Sequence, residues 1–162
     1  MRVLGSLALG QGLRFNNPYR LETPLGDTAE SVSTTAPYVD LAMALAFGPP
    51  NGLQHGGALH LATALSGIAQ TVITPSYLAV YRGPHRAMVC GRLGLPVIVN
   101  PDTNVGGELA LGGAYFLTAG IGLSAELAFD LFYGAGTRQT SYAVYPILAG
   151  QFGVLIDYEV LP

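Results

Sequence analysis

Apolar and polar residues alternate along most of this chain with a period of two, the repeat of a β-strand with two different faces. In Gln151–Tyr158, Phe152, Val154, Ile156 and Tyr158 share one face, and Gln151, Gly153 and Asp157 share the other. Residues 2 to 15 set Val3, Leu7, Leu9, Leu13 and Phe15 against Ser6, Ala8, Gly10, Gly12 and Arg14. Tyr38 to Phe47 alternate most cleanly, with Val39, Leu41, Met43, Leu45 and Phe47 opposite Tyr38, Asp40, Ala42, Ala44 and Ala46. Further strands are predicted over 57 to 69, 76 to 82, 86 to 100, about 107 to 117 and 122 to 133. A closing strand is predicted from Tyr142 to Glu159, irregular near Pro146, which lacks a ladder donor.

The strands number eight, and turn residues separate them. Turns are predicted at one end over 48 to 56, which opens with Gly48-Pro49-Pro50-Asn51-Gly52, over Gly83-Pro84-His85, and over 118 to 121. Segments 16 to 37, 70 to 75, 100 to 106 and 134 to 141 are predicted as connections at the other end. No apolar run reaches the roughly 18 residues that a spanning helix needs. A chain that crosses lipid without helices must close its sheet, because only closure satisfies every backbone group. The predicted fold is therefore all-β, a single-domain eight-stranded antiparallel up-and-down transmembrane barrel, with the apolar faces outward and both termini on the periplasmic side. Alternation alone also permits the inverse, a soluble lipocalin-like barrel with its apolar faces inward around an apolar ligand.

Composition favours the membrane form. Half the residues are hydrophobic and only 10% are charged, against about a quarter in soluble domains, and the mean hydropathy is +0.41. The face opposite the apolar one is rich in Ala and Gly, too poor in charge for a soluble surface. Phe47, Tyr81, Tyr115 and Tyr158 fall near one predicted rim, and Phe15, Tyr133 and Tyr142 near the other, as interfacial girdles do. The net charge is −3 and the seven basic residues are scattered arginines, so nucleic acid is not an expected partner. Met1 leads directly into a strand pattern, which reads as a mature chain whose export signal has been removed.

Gly106-Gly107-Glu108-Leu109-Ala110-Leu111-Gly112-Gly113-Ala114-Tyr115-Phe116-Leu117-Thr118, followed by Gly122-Leu123-Ser124-Ala125-Glu126-Leu127, resembles a hairpin of the small bacterial outer-membrane barrels typified by the OmpA transmembrane domain and OmpX. Gln151–Tyr158 resembles the C-terminal assembly signal of such barrels, although Glu159 to Pro162 follow it here. The resemblance implies a Gram-negative outer-membrane location and lipid as the surrounding partner. It is shared by proteins with many jobs, so it speaks to fold before function.

The predicted inward set contains Arg14, Asp40, His60, Arg92, Glu108, Glu126, Asp130 and Gln151. The plainer reading is a lumen network whose members satisfy one another; the alternative is a narrow water-filled pore with an acidic lining that prefers cations. An eight-stranded barrel is just wide enough for its own side chains. Small inward residues such as Ala42, Ala62, Ala110 and Gly112 nonetheless leave room for water, an infolded loop or a ligand. Loops on a rigid scaffold carry recognition, so Tyr19, Arg20 and Glu22 in the external loop 16 to 37 are the candidate contacts for a protein partner. The outward face also leaves association with a neighbouring barrel open.

No catalytic site is predicted. His60 lies inward, and His55 and His85 fall in predicted periplasmic turns. Ser66 is six residues along the strand from His60, too far at about 3.3 Å per residue for a hydrogen bond. Gly134-Ala135-Gly136-Thr137-Arg138 lacks the spacing and Lys of a phosphate loop. Cys90 is a single cysteine in an apolar segment, read as a packing residue, and no metal spacing or cofactor motif is present. The expectation is a non-enzymatic outer-membrane scaffold that meets partners through its external loops.

Overall fold

The computed structural model describes residues 1–15, 32–67, 69–83, 86–100, 103–133 and 144–160. They form one sheet of ten strands: β1 (Arg2–Phe15), β2 (Val32–Thr34), β3 (Tyr38–Phe47), β4 (Gly52–Ala64), β5 (Thr71–Arg82), β6 (Ala87–Gly94), β7 (Val97–Asn100), β8 (Asn104–Phe116), β9 (Ile121–Tyr133) and β10 (Val144–Glu159). Each neighbouring pair is antiparallel, and β1 pairs with both β3 and β10, which closes the sheet. β6 and β7 lie end to end between β5 and β8 as one stave, and β2 is a short addition beside the end of β1, so the barrel has eight staves.

The closing register runs from Arg2 opposite Glu159 to Arg14 opposite Ile147. Pairing thus continues past Tyr158, and the Val160 N–H also donates to the Met1 carbonyl at 3.0 Å. The long alternating faces point outward: Leu9, Met43, Leu111, Leu127 and Phe152 are all 60% exposed or more. Charge points inward, with Asp40 and Arg92 only 3% and 4% exposed. The inverted, lipocalin-like arrangement is not the one formed.

Five expectations about the staves need correction. β4 starts at Gly52, so His55 and Gly56 belong to a strand and not to the predicted turn. Gly56 is required there, because a Cβ would meet the Leu45 carbonyl of β3. β5 begins at Thr71 and takes in Thr74 and Pro75, predicted as a connection. The predicted strand 86 to 100 is interrupted at Leu95-Pro96. These residues lie opposite Thr74-Pro75, with Leu95 beside Pro75 and Pro96 beside Thr74, so both staves carry a proline without an N–H donor at this point, and the Leu95 N–H donates to the Pro75 carbonyl at 3.0 Å. Finally, Val32–Thr34 of the predicted 16 to 37 loop is strand, and Pro146 pairs with Leu131 inside β10.

Candidate functional site

The barrel has a terminal end, which carries Met1 and Glu159, and a loop end, toward which residues 16–31 and 134–143 connect. The parity of each strand decides which side chains enter the lumen. Asp40 on β3 and His60 on β4 both point inward and meet, with Asp40 Oδ2 and His60 Nδ1 2.7 Å apart. Arg92 on β6 extends Nη1 to Glu108 Oε1 on β8 and Nη2 to Glu126 Oε1 on β9, each at 2.5 Å. Gln151 on β10 donates from Nε2 to the same Glu126 oxygen at 2.9 Å. Asp130 on β9 is the cross-strand neighbour of Glu108. Seven of the eight predicted lumen residues therefore converge at one level.

Arg14 stands apart from the other seven. Its guanidinium lies 4.3 Å from the ring centre of Tyr145, which stacks on Phe132 and accepts a hydrogen bond from Asn104 Nδ2 at 3.0 Å. Gly10 makes room for another aromatic, since a Cβ there would overlap the ring of its cross-strand partner Tyr38.

Above the Arg92 bridge, toward the loop end, is a cavity of about 140 Å³. Its floor carries Asp40, Glu108, Glu126 and Asp130, and Ala62, Ala64, Val72, Pro96, Phe132 and Ile147 supply apolar wall. Below the bridge a smaller void of about 70 Å³ has Leu4, Leu78, Val80, Met88 and Leu155 among its lining. Those side chains, with Phe116 and Ala114, form a buried apolar cluster across the barrel. Cys90 packs against it as a small, half-buried residue.

A second ionic layer lies beneath this cluster. Arg82 Nη1 and Arg2 Nη1 hold Asp157 Oδ2 at 2.6 and 2.9 Å, and Arg2 Nη2 reaches Glu159 at 2.8 Å. Arg82 Nε donates to Gln54 Oε1 at 3.3 Å, and Gln54 Nε2 to the Pro49 carbonyl at 2.8 Å. Sequence reasoning passed over the cluster and most of this layer. Their signal was present: Val3-Leu4, Leu78-Ala79-Val80, Tyr115-Phe116 and Leu155-Ile156 break the alternation with consecutive apolar residues near the terminal end of each strand.

His55 corrects a further expectation. It points outward from β4, where Nδ1 meets the Tyr77 hydroxyl of β5 and the rings stack with centres 6.0 Å apart. Phe47, Tyr81, Tyr115 and Tyr158 are more than half exposed around the terminal rim, and Tyr133 around the other. Among the described residues no group of three His, Cys, Asp or Glu side chains is arranged to hold a metal ion. Tyr19, Arg20 and Glu22, and likewise His85, 134 to 141 and Tyr142, lie outside the described residues.

Charge enclosed by a sheet whose outer surface is apolar along its full girth defines an eight-stranded transmembrane β-barrel. Solved structures of small outer-membrane barrels share this fold. The chain is similar to Neisserial surface protein A over 96% of its length and 97% of that chain, with a TM-score of 0.59 and 10% identity. It is similar to Ail, the attachment invasion locus protein of Yersinia pestis, over 97% and 98% of the two chains, with a TM-score of 0.61 and 9% identity. A second structure of Ail, in complex with the heparin analogue sucrose octasulfate, aligns with a TM-score of 0.58 at 10% identity and the same coverage. No family model and no curated protein matches the sequence.

Proposed function

We propose that this chain is a non-enzymatic, non-conducting barrel of the bacterial outer membrane that acts as a scaffold, presenting its loop end to partners outside the cell. Both termini then lie on the periplasmic side, as expected when the longer connections are external. The observation that carries this reading is the closed lumen. A cluster of Leu4, Leu78, Val80, Met88, Phe116 and Leu155, backed by the Arg2 and Arg82 pairs to Asp157, packs across the terminal half and supports a barrel that does not conduct.

Loop composition narrows the partner. Residues 16–31 and 134–143, with 101–102, hold Arg20 and Arg138 against Glu22, Asp27, Glu30 and Asp102, two positive charges against four negative. Ail is seen with a sulfated heparin analogue; the acidic excess here disfavours such a polyanion and favours a neutral or basic protein surface, with Tyr19, Arg20 and Glu22 as contacts.

Membrane-impermeant maleimide labelling of intact cells tests the orientation. Arg20→Cys should label on whole cells, and Ala119→Cys should label only after the envelope is opened; the reverse pattern contradicts the reading. Replacing 16–31 by a short turn should then abolish partner binding while the barrel still folds.

A further inference from the structure

The cavity above the Arg92 bridge combines buried carboxylates with an apolar wall. Four carboxylates line it, and against them stand the Arg92 guanidinium, which spends both terminal nitrogens on Glu108 and Glu126, and His60, which pairs with one oxygen of Asp40. Asp40 is 3% exposed, and its Oδ1 has no hydrogen-bond partner among the described residues. Asp130 Oδ1 likewise has none, and no ion pair to Asp130 forms among the described residues. Buried acceptors left bare are costly and call for an occupant. Opposite them the wall is hydrocarbon, formed by Ala62, Ala64, Val72, Pro96 and Ile147.

We infer that this cavity is a blind binding site for a small aliphatic ammonium ion, its charged head among Asp40, Asp130 and the Arg92-bridged glutamates and its alkyl stem against the apolar wall. Size agrees with that class. The volume of about 140 Å³ is close to the roughly 150 Å³ that accepts a six-carbon ring in an engineered protein cavity. A metal ion fits less well, because among the described residues no three carboxylate or imidazole groups are close enough to ligate one, whereas an ammonium ion accepts longer contacts and uses the apolar wall. The apolar cluster beneath the site makes it a terminus and not a stage in a path.

Calorimetric titration of the folded barrel in detergent micelles with n-butylammonium chloride tests the site, with n-butanol and potassium chloride as controls. Saturable binding of the amine is expected, with no binding of n-butanol and no displacement by potassium at equal ionic strength. Asp130→Asn should weaken it at least ten-fold. Ala62→Leu, which fills the cavity and keeps every charge, should abolish it, and heat-modifiable gel mobility reports that each variant is folded. Absence of binding by the wild type, equal binding of n-butanol, displacement by potassium, or undiminished binding by a folded Ala62→Leu variant would each overturn the assignment. Should Asp130→Asn fail to fold, Ala62→Leu decides.

Discussion

Arg92 on β6 reaches past β8 to Glu126 on β9, Nη2 to Oε1 at 2.5 Å, while Nη1 holds Glu108 on the strand between. One guanidinium thus ties three consecutive staves together from inside. Its planar fork suits two carboxylates at once, which an ammonium would not match. Removing one member of a buried pair leaves an uncompensated charge, and that loss exceeds the net worth of the pair. Arg92→Met is therefore expected to lower the unfolding free energy by about 3–5 kcal/mol, read from urea titrations in micelles. Combining it with Glu108→Gln and Glu126→Gln should recover most of the loss, since the stranded charges go with it.

Gly56 and Gly107 make a matched pair for the close approach of strands. A Cβ on Gly56 would meet the Leu45 backbone, which cannot step aside, whereas one on Gly107 has nothing within 4 Å. Gly56→Ala should cost about 1–3 kcal/mol as overpacking. Gly107→Ala should be close to neutral, and the same urea titrations compare them.

Depth in the membrane should be measurable along β8. Leu111 is outward, 66% exposed and near the middle of the strand, whereas Leu117 lies just past its terminal end. Leu111→Arg should destabilise the barrel in lipid vesicles by about 2–4 kcal/mol and Leu117→Arg by about 0–1 kcal/mol. Equal, small effects at both positions would mean that this surface does not face hydrocarbon.

The apolar cluster can be opened on purpose. Trimming Leu78, Met88 and Phe116 together to Ala should open the lower void to the terminal mouth, and adding Arg92→Ala, which removes the bridge between the voids, should create a small conductance in planar bilayers. The current should favour cations, because Asp40, Glu108, Glu126 and Asp130 line the remaining route.

The barrel was legible because lipid outside and charge inside impose the same period of two on every stave. Tyr38–Phe47 shows it without exception. Legibility failed where a residue suited to a turn was used inside a strand: Gly56 serves close packing, and Pro75 sits where its partner stave has itself lost the ladder at Pro96. The inward position of Asp40, His60, Arg92 and Glu126 could be read from parity. Their partners could not, because Arg92 to Glu126 spans 34 residues and depends on the shear of the closed sheet. The apolar cluster was missed for a different reason. In a pattern read as apolar-out, Leu4 and Leu155 look like noise beside Val3 and Ile156, yet they belong to the buried apolar cluster inside the barrel.

Single-channel recording on the wild-type barrel in planar lipid bilayers tests the central claim most directly, with insertion verified by protection of the strands from protease. The closed terminal half predicts a silent membrane across the full voltage range. A steady ohmic current from intact, inserted barrels would contradict it.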